Sequence, residues 1–207
     1  KDNWGHMDNI CVIPNANTFS THQTAALNAR RVIAIGRYNY QKGFDRLIKA
    51  WKTVNQVCPE WTLDIIGEGE DKARLQSLIN YEKLNGSVRL MPATSDIENV
   101  YLGASVVAMS SHYEGLPMVL LEAQSFGLPI VAFACQCGPK DVITDGETGF
   151  LVPEGEVEGL ADRLITVMED DNLRLSMGKK AKEASHRYEE RGMMQLWMET
   201  FQTVMEQ

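Results

Sequence analysis

The segment RVIAIGRYNYQKGF, residues 31–44, decides the fold class of this chain. After Arg31 come four apolar residues, Val32 to Ile35, which is typical of a parallel strand buried on both faces. Gly36 ends this run, and a polar loop leads to Gly43. Apolar residues then recur at helical spacing, at Phe44, Leu47, Ile48, Trp51 and Val54. The segment therefore predicts a strand, a loop and a helix in direct succession.

The same alternation of strand and helix recurs along the chain. Strands are predicted at residues 31–36, 61–67, 88–91, 106–110, 130–134 and 150–152. Helices are predicted after Gly43, at residues 71–84, 157–168 and 173–187, and at the C-terminus. A further short helix is predicted to start at the Ser95-x-x-Glu98 capping box. Another is predicted to start at about Leu116, with Pro117 in its first turn. Right-handed crossovers then predict an α/β fold, a Rossmann-like doubly wound parallel sheet with C-terminal helices.

Composition excludes several functional classes. The 207 residues are 44% hydrophobic and 23% charged, as expected of a globular protein of one large domain. A net charge of −8 argues against nucleic acid as a partner. No apolar run approaches the ~18 residues that span a membrane. The chain begins at Lys1 with no visible signal peptide, and we expect it to be a piece of a longer protein.

The cysteine and histidine residues do not predict a metal site. Cys135 and Cys137 are too close for the usual zinc pair, and the four histidines are scattered. We expect four reduced thiols in a reducing compartment, and hence a cytoplasmic protein or one at the cytoplasmic face of a membrane. No Asp-x-Asp motif occurs, so no metal is predicted at a phosphate ligand.

The loop after the first strand has the features of an anion site. It runs from Gly36 to Gly43, contains Arg37 and Lys42, and ends at a helix start, where backbone N–H groups and the helix dipole favour an anion. It contains neither Gly-x-x-x-x-Gly-Lys nor Gly-x-Gly-x-x-Gly, so no Walker or dinucleotide motif is present. The loop alone is also compatible with a basic surface on which Lys42 is solvated.

Two carboxylates, Glu114 and Glu122, flank the predicted helix start after the fourth strand. The residues between them include Gly115, Leu116, Pro117, Met118 and Val119, and free amides there would bind a phosphate oxygen. One ligand rich in hydroxyl groups would reach both carboxylates. The alternatives are a dipole-stabilising role for Glu114 and an ion pair of Glu122 with Arg37 or Lys42.

Glycine-containing loops follow two further strands. The second strand is followed by Gly67-Glu68-Gly69-Glu70, and the fifth by residues 136–141, in which Pro139 marks a helix start. Because ligands of doubly wound sheets bind beyond the carboxyl ends of the strands, we expect these loops and those described above to form one site.

Five motifs in this order resemble the C-terminal domain of the retaining glycosyltransferases called group 1, or family 4, which have the GT-B fold. They are Gly36-Arg37 with Lys42-Gly43, Gly67-Glu68-Gly69, Glu114-x7-Glu122, Gly138-Pro139, and Asp145-Gly146-x-x-Gly149-Phe150-Leu151-Val152. The similarity extends from about Ile13-Pro14-Asn15 to the C-terminus. Residues 91–93, Met-Pro-Ala, depart from the family, in which a glycine often stands there, and so does His112.

The resemblance implies a role for each site residue. Arg37 and Lys42 would neutralise the diphosphate of a nucleotide sugar, and with Glu114, which would face the donor sugar, they are the predicted catalytic residues. Glu122 would accept hydrogen bonds from the ribose, and residues 88–93 would border the base. The full donor-binding set is Gly36, Gly67, Leu90, Met91, Glu114, Gly115, Leu116, Pro117, Met118, Val119 and Glu122. The expected donor is a UDP-sugar, bound without metal or other cofactor.

The resemblance also implies a division of the chain and of the reaction. Residues 1–30 would be the remnant of an interdomain linker, 31–187 the donor-binding domain, and 188–207 a helix that crosses to an N-terminal domain. That absent domain would hold the acceptor, a glycan, lipid or cell-surface polysaccharide precursor, and would make any peripheral membrane contact. Transfer would retain anomeric configuration, the fragment would be inactive alone, and its last helix is a candidate for homo-oligomer contacts.

Two other functional classes remain open at this stage. One is a sugar-nucleotide epimerase with the GT-B fold, which would share the phosphate loops. The other is a non-catalytic nucleotide-binding module; a flavodoxin-like signalling domain would need acidic residues after the first strand, where this chain has Gly36-Arg37.

Overall fold

A parallel six-stranded sheet organises the protein, for which we describe residues 11–17, 19 and 21–205 of a computed structural model. Its strands are β1 (Arg31–Ile35), β2 (Thr62–Ile66), β3 (Val88–Met91), β4 (Val106–Met109), β5 (Ile130–Phe133) and β6 (Gly149–Val152). They lie in the order β3-β2-β1-β4-β5-β6, and every pairing is parallel. This order is that of a doubly wound Rossmann sheet, so the predicted fold class is confirmed.

Helices cover both faces of the sheet. They are α1 (Phe44–Val57), α2 (Lys72–Tyr81), α3 (Ile97–Leu102), α4 (Met118–Ser125), α5 (Pro139–Val142), α6 (Val157–Glu169), α7 (Asp171–Ser185) and α8 (Glu190–Met205), with 3-10 turns at Tyr40–Lys42 and His186–Tyr188. Successive strand residues alternate between two buried cores. The first core packs on α1, α2 and α6, and the second packs on α3, α4 and α5.

Two predicted helices are present but begin slightly later than predicted. Helix α4 begins at Met118 rather than near Leu116, and Pro117 precedes the first turn with an extended ψ of 97°. Leu116 stands directly before a proline, whose ring disfavours the helical conformation there. The Ser95 capping box is also absent, because Asp96 precedes α3 and its N–H donates to Thr94 Oγ1 at 3.0 Å. Asp96 is the N-cap residue and makes no side-chain cap bond, while Thr94 forms a local turn ahead of the helix.

The described residues that precede β1 form no helix or strand, yet they pack on the domain. The Asn17 Nδ2 group donates to Leu121 O at 3.1 Å, and the Ala25 N–H donates to Phe126 O at 2.8 Å. Lys182 of α7 donates to Thr21 O at 2.6 Å. The predicted linker also includes residues 1–10, 18 and 20, which lie outside the described residues. The boundary at residue 30 stays a prediction.

Helix α8 presents a largely exposed apolar surface. Met193 is its one buried residue, whereas Trp197 and Phe201 are 44% and 58% exposed. Their rings lie 5.5 Å apart on the same side of the helix. Among the described residues, no helix is long and apolar enough to cross a membrane.

A buried carboxylate joins the three strands at one side of the sheet. Asp64 of β2, 2% exposed, accepts hydrogen bonds from Arg31 Nε of β1 at 2.7 Å and from Arg89 Nε of β3 at 2.6 Å. Because two guanidinium groups surround one buried carboxylate, its desolvation is compensated by charge-assisted hydrogen bonds.

We expect Asp64→Ala to lower the free energy of unfolding by roughly 2–3 kcal/mol, since Arg31 would lose its buried counter-ion while half-exposed Arg89 could turn to solvent. Urea denaturation measures the change. The matched control is Asp162→Ala, which removes an exposed carboxylate from α6. A loss no larger than that of the control would show that Asp64 does not stabilise the sheet.

Candidate functional site

Four loops meet at the carboxyl edge of the sheet, as predicted. They follow β1, β2, β4 and β5, and hydrogen bonds between backbone groups connect each to its neighbour. These bonds are Gly36 N to Ile66 O (3.0 Å), Tyr38 N to Glu68 O (2.7 Å), His112 N to Gln41 O (2.8 Å) and Glu114 N to Gln136 O (3.3 Å). The loops therefore form one continuous surface.

Glycine allows two of these loop contacts. A Cβ atom on Gly67 would lie 1.9 Å from Gly36 O, and one on Gly43 would lie 2.3 Å from Ser110 O. Both glycines have positive φ, +156° and +56° respectively. A side chain at either position would push neighbouring loops apart and would adopt an unfavourable backbone conformation.

Lys42 and Glu114 form an ion pair across the loops after β1 and β4. Their Nζ and Oε1 atoms are 2.7 Å apart, and the same Oε1 accepts the Ser111 hydroxyl at 2.6 Å. The Glu114 side chain is only 7% exposed. The alternative of a solvated Lys42 does not describe this structure, in which the lysine reaches the loop that leads into α4.

Arg37 points to a different part of the edge. Its Nη2 atom lies 3.5 Å from Glu70 Oε2, and both side chains are more than half exposed. An exposed pair of this kind contributes little to stability, so Arg37 can exchange Glu70 for another anion at low cost. The two predicted cations therefore stand at separate positions, Lys42 beside the β4 loop and Arg37 beside the β2 loop.

Glu122 lies one helical turn beyond Met118 in α4 and is half-buried. Its Oε2 atom accepts a hydrogen bond from the Tyr101 hydroxyl at 2.7 Å. Tyr101 is fully buried, and burial, together with the charge and hydrogen bond of Glu122, raises its pKa well above the usual value. The phenol therefore remains a hydrogen-bond donor.

Two adjoining clefts of about 350 Å³ each lie where β1, β2 and β3 end. One is lined by Met91 with residues of α3, and the other by Gly36, Arg37 and Gly67. Leu90, also predicted to bind the donor, packs its side chain into the core on the opposite face. Strand residues alternate in direction, so Leu90 and Met91 cannot both direct their side chains to one cleft.

No cluster of three or more His, Cys, Asp or Glu side chains suited to a metal ion occurs in residues 11–17, 19 and 21–205. All four cysteines are free thiols.

His112, which departs from the family pattern, stacks on Tyr40 with 4.2 Å between ring centroids. Burial and the nearby Arg46 lower its pKa, which favours a neutral ring.

The sequence that forms this domain matches a known family. Residues 17–184 match the family model described as "Glycosyl transferases group 1". The chain belongs to this family. The predicted resemblance is confirmed, and the six-stranded sheet is the Rossmann-like domain of a GT-B glycosyltransferase.

Three relatives show the extent of the similarity. A Haemophilus influenzae protein named "Uncharacterized glycosyltransferase" is 34% identical over 92% of this chain and 54% of its own length. The amylovoran biosynthesis glycosyltransferase AmsD of Erwinia amylovora is 34% identical over 92% of this chain and 55% of its own. A mutant of S. aureus TarM, crystallised with fondaparinux, alpha-GlcNAc-glycerol and UDP, superposes with a TM-score of 0.81 at 26% identity over 92% of this chain and 38% of that one.

The chain therefore spans about half the length of these two curated glycosyltransferases. Within this half, sequence reasoning missed Tyr101 and Ser111, which hold Glu122 and Glu114. Ser111 lies three residues before Glu114, a spacing that would have signalled a local hydrogen bond. Tyr101 occupies a core position of α3, and its sequence carries no signal for a polar contact with α4.

Gly67→Ala should lower the free energy of unfolding by roughly 3 kcal/mol, because the new methyl group would collide with Gly36 O in a conformation disfavoured for alanine. Thermal and urea unfolding would measure this loss. Gly86→Ala is the matched control, since a Cβ there meets nothing within 4 Å. Equal stability of the two variants would contradict the close contact of the β1 and β2 loops.

Proposed function

We propose that this chain is the donor-binding half of a retaining glycosyltransferase that uses a nucleoside-diphosphate sugar, with UDP-sugar the expected donor. The observation that carries the proposal is the ion pair of Lys42 and Glu114, held 2.7 Å apart beside the start of α4. It combines a cation for a diphosphate, a carboxylate for sugar hydroxyl groups, and a helix amino end at one point. The UDP in the TarM complex supports the choice of nucleotide.

In this proposal Lys42 binds the donor diphosphate while it keeps its ion pair with Glu114. An ammonium group has three N–H donors, and the ion pair uses one of them. Glu114 also accepts from Ser111, so its position does not depend on Lys42 alone. Glu114 would then hydrogen-bond the donor sugar while Lys42 contacts the phosphate beside it.

Charge stabilisation is the proposed catalytic contribution of this half. Negative charge collects on the diphosphate as the glycosidic bond breaks, and fixed cations and dipoles at that point lower the barrier. Lys42, Arg37 and the first-turn amides of Met118 and Val119 in α4 are proposed to supply them. No metal is required in this scheme. The amide of Leu116 belongs to the loop before the helix rather than to the helix end.

The remaining donor contacts are proposed along the clefts. Glu122 would accept hydrogen bonds from the ribose, and the base would lie by Met91 near the end of β3. Gly36 and Gly67 would allow the ligand to approach the backbone closely. Gly115 and Pro117 would shape the turn that leads from Glu114 to α4.

The complete reaction is proposed to need a second domain. That domain would bind the acceptor, a glycan, lipid or cell-surface polysaccharide precursor, at the cytoplasmic side of a membrane, and the chain alone would be inactive. The amylovoran biosynthesis role in the name of AmsD supports a polysaccharide product. The exposed apolar side of α8, with Trp197 and Phe201, would pack on that domain or on a second copy of this chain.

The proposal is tested by titrating the protein with UDP, GDP and ADP and monitoring binding by calorimetry and NMR. We expect UDP to bind and to shift the resonances of residues 36–43 and of the first turn of α4. Absence of binding and of shifts in these segments with all three nucleotides would overturn it.

Lys42→Ala should weaken UDP binding by about 10- to 100-fold and leave uridine binding unchanged, because a hydrogen bond to a charged group contributes roughly 1.5–3 kcal/mol. Calorimetry with both ligands measures the difference. Lys49→Ala removes an exposed lysine of α1 and serves as the control. If uridine and UDP lost affinity equally, Lys42 would not be a phosphate ligand.

A further inference from the structure

The position of Tyr101 is fixed by an aromatic cluster. Its ring stacks on Phe126 with 5.1 Å between centroids and meets Phe19 edge-on at 6.4 Å. Phe19 and Phe126 also contact each other at 5.4 Å. Three mutually packed rings leave the phenol little freedom to rotate, so its hydroxyl is held in one direction.

The Tyr101 hydroxyl group points from the core toward α4 and donates a hydrogen bond to Glu122. The hydrogen bond is 2.7 Å long, and its donor lies on α3, a different element from its acceptor. Because burial and the neighbouring carboxylate raise the pKa of Tyr101, the proton stays on the phenol across the physiological range. One oxygen of Glu122 is thus held by a donor that neither moves nor ionises.

A glutamate on a helix surface normally samples several rotamers and loses this freedom when it binds a ligand. A hydrogen bond from a rigid partner removes much of that loss in advance, which strengthens the contact with the ligand. A carboxylate has about four acceptor positions, and the Tyr101 phenol occupies one of those of Glu122.

Helix α3 also forms part of the wall of both clefts. Ile97 lines one cleft and Val100 the other, and Tyr101 lies one turn beyond Ile97 on the same side of the helix. A single short helix therefore connects the clefts at the end of β3 with the carboxylate on α4. A nucleoside with its base in a cleft would extend its ribose along this helix.

We propose that Tyr101 is a positioning residue that orients Glu122 toward the ribose hydroxyl groups, so that this chain selects ribonucleotides over nucleotides without those hydroxyls. This inference rests on the proposed donor-binding function. Tyr101 itself contacts no ligand in this scheme, and it acts through the carboxylate.

A purely structural role for Tyr101 and a positioning role lead to different changes in ligand affinity when the hydroxyl group is removed. Tyr101→Phe keeps the ring and its packing and removes only the hydroxyl group. If the tyrosine only packs the core, affinities for UDP and for 2′,3′-dideoxy-UDP will change by the same factor. If it positions Glu122, only the ligand with ribose hydroxyls will lose affinity.

The experiment measures the dissociation constants of UDP and 2′,3′-dideoxy-UDP by calorimetry for the wild type and Tyr101→Phe. We expect the wild type to prefer UDP by about tenfold or more. Tyr101→Phe should bind UDP about tenfold more weakly and the dideoxy compound within about twofold of the wild type. Combining it with Glu122→Gln should add little to the loss caused by Glu122→Gln alone.

Tyr188→Phe is the matched control, because Tyr188 is also buried in the second core and its hydroxyl donates to Asp141 O at 2.9 Å. It should leave the preference for UDP unchanged. Glu122→Asp provides a second variant that keeps the aromatic cluster intact and withdraws the carboxylate from the phenol; it should also lose the preference.

Four results would be decisive against these ideas. Equal losses for both ligands in Tyr101→Phe would overturn the positioning role, and so would an unchanged preference in Glu122→Asp. A wild type that binds neither nucleotide would overturn the proposed donor-binding function itself, and the positioning role with it. Binding of both nucleotides with equal affinity by the wild type would overturn the positioning role alone.

Discussion

Close contact between loop backbones at the carboxyl edge is the constraint on which the site depends. Glycine at three places permits it: Gly67 against Gly36, Gly43 against Ser110, and Gly138, whose Cβ would lie 2.4 Å from Gly115 O. Because these contacts involve main-chain atoms, they fix loop spacing independently of side-chain rotamers. Side chains that are distant in the sequence, such as Lys42 and Glu114, are thereby brought within hydrogen-bonding distance.

Charge at this edge is distributed in pairs of different strength. The pair of Lys42 and Glu114 is largely buried and shares Ser111, whereas the pair of Arg37 and Glu70 is exposed. A protein of net charge −8 thus keeps two cations at the place where an anionic ligand is proposed, each beside a carboxylate. Such local pairing limits repulsion in the unliganded protein and leaves spare donors on both cations.

Apolar runs were sufficient to predict all six strands, because strands buried on both faces have a simple sequence signature. Side-chain contacts between elements that are distant in the sequence were harder to predict. The bond between Tyr101 and Glu122 joins two helices, and a tyrosine at a core position looks like packing alone. Local sequence shifted two helix starts. Pro117 displaced the start of α4, and α3 begins after Asp96 rather than after the predicted Ser95 cap. Strand alternation directs the side chain of Leu90 away from that of Met91.

The segment before β1 has a practical consequence for dissecting the protein. Asn17 forms hydrogen bonds with Leu121 and Ser125, and the Ala25 N–H donates to Phe126 O. This segment therefore holds the end of α4 that is opposite to the proposed ligand. The family similarity also begins at Asn17. An expression fragment trimmed to the first strand would lose these hydrogen bonds to the helix that carries Glu122. A fragment intended to preserve the geometry of the edge should therefore include Asn17 and Ala25.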